Sequence, residues 1–292
     1  METADWQSHL ILAVGSMTIF DEEKICAAFP FAHIEVHSQI RSTNDRAIEL
    51  LRHSALKSPA LIIAESQTMG RGQRNRKWWS DTGSLTFSYV PSTDVNNNTN
   101  SRPSIPSGLV SLASALAVSN ALASIEPGKN FEIKWPNDVM LNQSKIAGIL
   151  VESVSTDTNL FTVIGIGVNI NNSKMPTLQA MDKRRDSMEA STATSLAQVT
   201  GNTTSLSEAI IIILIELKKQ ISILNEEPLE IVDRFNQALM YRNKAVLVTS
   251  PSGATLKGTC LGITPDGGLQ LKTENQIEII HSGSVQKLDS LK

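Results

Sequence analysis

The sequence predicts an α+β protein: a mixed, largely antiparallel sheet with helices on one face, followed by a small all-β barrel. Three observations carry this. Short runs rich in Ile and Val, among them "ALIIAE" (60–65), "FEIKW" (131–135), "KIAGILVES" (145–153) and "LFTVIGIGVNI" (160–170), read as strands. They share the chain with long apolar segments at 107–125 and 205–224 that read as buried helices. From about residue 242 the pattern changes to "KAVLVT", "ATLKGTCLGI", "GGLQLK", "QIEIIH" and "GSVQKL", broken by Pro-Ser-Gly, Pro-Asp-Gly-Gly and Ser-Gly. Close-set strands with such turns mark a barrel or sandwich of SH3 size.

The elements follow in order. "HLILAVGSMTIF" near the N-terminus is apolar but has no Lys or Arg before Lys24, so it lacks the cationic flank of a signal peptide. It is too short to span a bilayer and reads as a buried strand or packing segment. Residues 42–56 read as a helix capped by Ser42, with Asp45 three positions on. "SLTFSYV" (84–90) alternates as a strand. The stretch 91–108, rich in Asn and broken by Pro, reads as a surface loop, as does the polar stretch 172–193. Ser205 and Glu208 open the second long helix, and 228–239 forms a shorter one.

Composition narrows the function. The 292 residues are 41% hydrophobic and 19% charged, with a net charge of −3. A chain of this balance buries a sizeable core and has no global field to draw it to nucleic acid or an anionic membrane. Two distant cysteines, Cys26 and Cys260, make no disulfide framework and fit a reducing, cytoplasmic setting.

Against that acidic background "MGRGQRNRKWWSDTG" stands out. Arg71, Arg74, Arg76 and Lys77 cluster there, Gly70 and Gly72 flank Arg71, and Trp78 and Trp79 follow. Glycines let backbone approach a ligand, and guanidinium groups suit phosphate or carboxylate. A solvated basic loop is the plain alternative. In "KWPNDVML", Pro136 restricts Trp135, and Asn137 with Asp138 could form a tight turn; Asp138 has the oxygen chemistry for Mg²⁺. Lys145 opens an apolar strand, where it could snorkel to solvent or sit beside a reacting phosphate. "GIGVNI" (165–170) holds two glycines, but a lone GxG is not a dinucleotide site.

Taken in order, "STN", "AESQTMGRGQRNRKWWSDTG", "KWPNDV" with "KIAGILVE", and "GIGVNI" resemble the biotin protein ligase family. The likeness runs from about residue 36 to the end and includes that family's C-terminal barrel. It implies a class II aminoacyl-tRNA synthetase-like, or biotin–lipoate ligase, fold followed by an SH3-like barrel. The expected organisation is an N-terminal extension (1–35), a catalytic domain (36–240) and the barrel (242–292). The implied reaction forms biotinyl-5′-AMP from biotin and MgATP, then passes biotin to a lysine of a biotin carboxyl carrier protein, part of a biotin-dependent carboxylase.

The resemblance also implies roles. Ser42, Thr43 and Gln67 would read the biotin urea edge, with backbone at Gly70, Arg71 and Gly72 helping and Trp78 walling the pocket. Gly148, Gly165 and Gly167 would lie along the biotin. Lys145 would meet the biotin carboxylate and the α-phosphate. Lys145, Arg71 and Lys134 form the expected catalytic set. Arg74, Arg76, Lys134, Asn137, Asp138 and Asn169 would hold ATP, and Asp138 the magnesium.

This chain departs from the family's loop in having Gln73 where arginine is usual, which implies weaker retention of the adenylate or compensation by Arg74. Asn75 replaces a usual glycine and tolerates left-handed backbone. Only 41 residues precede Ser42, without a helix-turn-helix pattern. A ligase without repressor function, DNA partner or membrane association is expected. Family members often dimerise through sheet edges, so a homodimer stays open. The rival readings are a lipoate or octanoate ligase, a non-catalytic biotin-responsive regulator, and a nucleic-acid-binding module.

Overall fold

The computed structural model describes residues 10–14, 19–92, 106–157, 159–175 and 192–288. The chain forms two compact units. One holds residues up to 104, 150–174 and 195–211; the other holds 105–149, 175–194 and 212–292.

In the first unit, strands β1 (Leu10–Val14), β2 (His33–Ile40) and β3 (Ala60–Gln67) run parallel. β4 (Ser84–Val90) and β8 (Leu160–Asn169) continue the sheet antiparallel, and the second half of β7 (Ser144–Ser155) lies next to β8. Helix α1 (Glu22–Ala28) precedes β2, with Asp21 accepting from Lys24 N at its N-terminus. Helix α2 (Thr43–Arg52) covers the sheet. Its Ala47, Leu50 and Leu51 pack with Leu56, Ala60, Ile62, Val90, Val154 and Val163 into one apolar core. α2 starts at Thr43 because Ser42 Oγ accepts from Asp45 N at 3.3 Å, the expected cap.

β2 lay hidden in the sequence. Its His33, Glu35 and His37 are as buried as Ile34 and Val36. They are buried because Glu35 gathers both histidines and Arg46 of α2 around one carboxylate, at 2.9–3.3 Å. A polar face that satisfies itself can be buried, and it erases the alternation by which a strand is recognised.

In the second unit, β5 (Phe131–Lys134), β6 (Asp138–Leu141) and the first half of β7 form an antiparallel ladder. Helix α3 (Ser107–Ile125) packs on β5 and β6. By length and composition it could cross a membrane, but it is mostly buried inside the fold, and Ser119 Oγ donates to Phe131 O. Its small residues allow that close approach. Helix α4 (Leu196–Thr200) belongs to the first unit, and α5 (Leu206–Glu226) contributes to both. Helix α6 (Pro228–Ala238) follows α5 in the second unit.

Strands β9 (Ala245–Thr249), β10 (Thr255–Ile263), β11 (Leu269–Lys272), β12 (Ile277–Ile280) and β13 (Ser284–Lys287) make an antiparallel sheet in the order β12-β11-β10-β9-β13, the SH3-like module expected. Asn236 of α6 holds it by accepting from Ile263 N at 2.9 Å. The mixed, largely antiparallel α+β class therefore stands. β6 replaces part of an expected turn: residues 135–137 turn, and Asp138 already begins a strand. Most of the predicted loops 91–108 and 172–193 lies outside the described residues, as does part of the N-terminal apolar run.

Candidate active site

In the first unit the candidate residues converge on the N-terminus of α2. Gln67 Oε1, at the end of β3, accepts from Thr43 N at 2.8 Å and lies 3.3 Å from Thr43 Oγ1. Ser88 Oγ on β4 lies 2.8 Å from Thr43 Oγ1 and 2.5 Å from Asn44 Oδ1. Ser42, Thr43, Asn44 and Ser88 are all buried. A hydroxyl carries one proton, so the Ser88–Thr43–Gln67 chain has a fixed direction once one bond is chosen.

The glycines of β8 serve close packing. Ser88 and Gly165 face each other across β4 and β8, as do Thr86 and Gly167. A Cβ on residue 165 would collide with the Asn44 amide, and one on residue 167 with the Trp78 indole. Asn44 and Trp78 therefore pack directly on these two glycines. Asn169 is buried at the end of β8, opposite Ser84.

The cationic loop folds back on itself. Trp78 N donates to Gly70 O at 2.9 Å, and Gly72 N to Arg76 O at 2.7 Å. A Cβ on residue 70 would lie 2.5 Å from Trp78 O, so only glycine fits. Residues Gln73–Asn75 make one 3₁₀ turn, and the left-handed residue is Arg74 (φ 57°, ψ 43°) rather than Asn75. Arg74 is exposed.

Arg71 points elsewhere. Its NH1 and NH2 donate to Glu152 Oε1 and Oε2 at 3.0 and 2.7 Å, and its Nε to Asp45 Oδ1 at 2.8 Å. Burial works against the charge, but Glu152 and Asp45 outweigh it and hold the guanidinium above its ordinary pKa. Glu152 Oε2 also accepts from Asn44 Nδ2 at 2.8 Å. Neither Glu152 nor Asn44 drew a role from the sequence, although both lie inside quoted motifs. The available signal was that a basic loop in an acidic chain needs carboxylate partners.

In the second unit Lys134 faces Asp138 across the β5–β6 hairpin, and Asp138 faces Gly148 across β6 and β7. A register shift between Val139 and Met140 then brings Lys145 opposite Met140. Lys145 Nζ lies 2.5 Å from Asp138 Oδ1, both side chains being mostly buried. The backbone of Lys145 is clamped by Thr192 O and Thr194 N at 2.8 and 3.0 Å. The turn between the strands is pinned on two sides. Asn137 Nδ2 donates to Ile149 O at 2.6 Å, and buried Trp135 donates from Nε1 to Gly267 O at 3.1 Å. The result is a cation and a carboxylate side by side at one end of a short ladder, suited to contacting an anion through the ammonium.

Among the described residues no group of three or more His, Cys, Asp and Glu side chains could hold a metal. Asp138 supplies one carboxylate. That suffices for a magnesium ion that keeps phosphate and water in most of its shell, provided the carboxylate is shared with Lys145.

Comparison with known proteins agrees with this residue pattern. The model of the biotin/lipoate A/B protein ligase family matches residues 36–169, and that of the biotin protein ligase C terminal domain matches 242–288. The bifunctional ligase/repressor BirA of Bacillus subtilis (strain 168) is 30% identical over 262 residues, 87% of this chain and 74% of that protein. The biotin--[acetyl-CoA-carboxylase] ligase of Paracoccus denitrificans is 36% identical over 134 residues, 44% of this chain and 51% of that protein. The solved biotin protein ligase from Aquifex aeolicus in complex with biotin and ATP superposes with a TM-score of 0.70 at 26% identity, covering 88% of this chain and 98% of that one. The chain belongs to the biotin protein ligases, within the biotin/lipoate A/B protein ligase family.

Proposed function

We propose that this protein is an ATP-dependent biotin protein ligase that forms biotinyl-5′-AMP and transfers biotin to the lysine of a biotin carboxyl carrier protein. The observation that carries the reading is the Lys145–Asp138 pair on β6 and β7, beside the "KWPND" turn, in a chain of this family. Relatives solved with biotin and ATP, or named as acetyl-CoA-carboxylase ligases, support the substrates.

In the first step a biotin carboxylate oxygen attacks the α-phosphorus of ATP, and the bond to pyrophosphate breaks. Negative charge grows on the α-phosphoryl oxygens. The Lys145 ammonium, directed by Asp138, is assigned to that charge and to the carboxylate. Lys134, Asn137, Asp138, Arg74, Arg76 and Asn169 are assigned to the nucleotide. Asp138 is also assigned to magnesium, which when bound neutralises phosphate charge. Ser42, Thr43 and Gln67 are assigned to the polar edge of biotin, and Gly70, Gly72, Gly148, Gly165, Gly167 and Trp78 to the walls around it. Arg71 keeps a place in the set through its backbone. In the second step the acceptor lysine amine attacks the acyl carbon and AMP leaves; excluding water protects the mixed anhydride until then.

The catalytic domain is taken as 36–240 and the C-terminal module as 242–292, with 1–35 an extension. A cytoplasmic protein with no DNA partner is the reading that net charge and cysteine usage support; a homodimer is compatible with it.

ATP–pyrophosphate exchange in the presence of biotin, lipoate or octanoate tests the reading. Exchange dependent on biotin is expected. Exchange with lipoate or octanoate instead would move the function to the other branch of the family, and none with any acid would remove the catalytic assignment.

A further inference from the structure

The carboxylate of Glu152 joins three parts of the first unit. It receives both terminal nitrogens of Arg71 from the loop and Nδ2 of Asn44 from α2, while Glu152 itself stands on β7. Asp45, one residue further along α2, takes Arg71 Nε. All three guanidinium nitrogens are therefore on carboxylates. One positive charge facing two negative ones leaves no net cation to offer a phosphate. The geometry is that of a bidentate fork, which fixes orientation as well as distance. A lysine in the same place could not reproduce it.

The partners of this carboxylate are themselves committed. Asn44 Oδ1 lies 2.5 Å from Ser88 Oγ and packs against Gly165, where no side chain could fit. Thr43, beside Asn44, meets Gln67. The loop carries Gly70 and Trp78 on either side of Arg71's pairing with Lys77. Moving Arg71 therefore moves the loop relative to the N-terminus of α2 and to the glycine face of β8.

We propose that Glu152 is a positioning residue for the loop, and that Arg71 acts as its anchor rather than as an anion ligand. The Glu152–Arg71 fork, with Asn44, pins the loop to β7 and α2. The consequence for function rests on the biotin ligase reading: a pinned loop retains the acyl-adenylate. On this account the loop's hold does not depend on Gln73.

The test compares E152Q, R71K, R71Q and the double variant R71Q/E152Q with the wild-type chain. Trypsin cleavage after Arg74, Arg76 and Lys77 in ligand-free protein reads the loop's hold without any chemistry. Release of biotinyl-5′-AMP formed in place reads its function, and thermal unfolding selects the folded variants. The expected result is faster cleavage and faster release, about ten-fold, in each single variant. R71K should do no better than R71Q, and the double variant no worse than the worse single one, since both remove one interaction. Three results would overturn the proposal: E152Q behaving as wild type while R71Q is impaired, R71K keeping function that R71Q loses, or losses that multiply in the double variant. Should E152Q fail to fold, R71K against R71Q decides alone. If wild type forms no adenylate from biotin, the ligase reading fails, while the cleavage comparison still judges the anchor.

Discussion

The amide oxygen of Asn44 stands where a Cβ on residue 165 would have to go, and the same amide bonds Ser88 on the neighbouring strand. Gly165 and Ser88 are register partners, so one helix residue is seated on a pair of strand residues. The glycine is a packing requirement before it is anything else.

Gly165→Ala should therefore displace Asn44 and disturb its bond to Glu152. Overpacking of this kind costs about 1–3 kcal/mol. Urea unfolding of G165A against wild type measures it, and adding Asn44→Gly should recover part of the loss. Gly167→Ala should instead move Trp78, visible as a change in its fluorescence with Trp78→Phe as the reference. An unchanged midpoint in G165A would mean that Asn44 has another place to go.

Lys145 and Asp138 sit 2.5 Å apart, and the proposed chemistry needs the ammonium aimed. Lys145→Met should lower biotin-dependent pyrophosphate exchange by about a hundred-fold or more, the scale of losing a preorganised charge at a reacting phosphate. Asp138→Asn should lower it less in kcat and raise the KM for MgATP, because it loosens the lysine and removes a carboxylate from the metal's reach. Equal effects on the biotin KM alone would contradict these roles.

Trp135 is buried beside the turn and donates to Gly267 O in the C-terminal module. Gly267 has φ 88° and little space around its Cα, with Leu112 and Leu109 close by. Trp135→Phe keeps most of the ring but removes the donor. It should cost about 1–2 kcal/mol by leaving the Gly267 carbonyl without that partner. Denaturant unfolding measures this, and a neutral result would mean that the carbonyl finds another donor.

Glu35 is buried, which by itself would raise its carboxyl pKa. Hydrogen bonds from His33, His37 and Arg46, with the Arg46 charge, outweigh burial and hold it well below the usual carboxylate range. The folded value is lower than the unfolded one, so the stabilisation is present above about pH 4.3 and is lost as pH falls through the folded value. The stability gap between wild type and Glu35→Gln should be full at neutral pH and shrink in strong acid. Unfolding midpoints measured from pH 7 down to pH 2 check the sign; a gap that grows on acidification would refute it.

Much of the architecture was legible. Helix 107–125 was predicted with the bounds it has, and the strands at 84–90 and 160–170 to within a residue, because apolar runs there are bounded by Pro, Gly and Asn residues. The strands of the C-terminal module followed from their turns. β2 escaped because its polar residues are buried in a network with α2, and no local pattern signals a partner on another element. β6 escaped because Pro136, Asn137 and Asp138 are turn formers, and four residues are too few to show a period.

The site divides in the same way. The chain alone determined which residue types cluster: glycines around Arg71, the "KWPND" turn, Lys145 at the head of a strand, and paired glycines on β8. These are properties of composition and spacing, and they suffice to mark the family. Only the tertiary structure decided where each charge is spent. Arg71 carries the same charge in the chain whether it meets a phosphate or a carboxylate. Glu152 lies far away in sequence, and strand and helix packing bring it to the guanidinium. Likewise Gly165 and Gly167 announce close approach, but what approaches is fixed by the seating of α2 and the fold of the loop, which place Asn44 and Trp78 there.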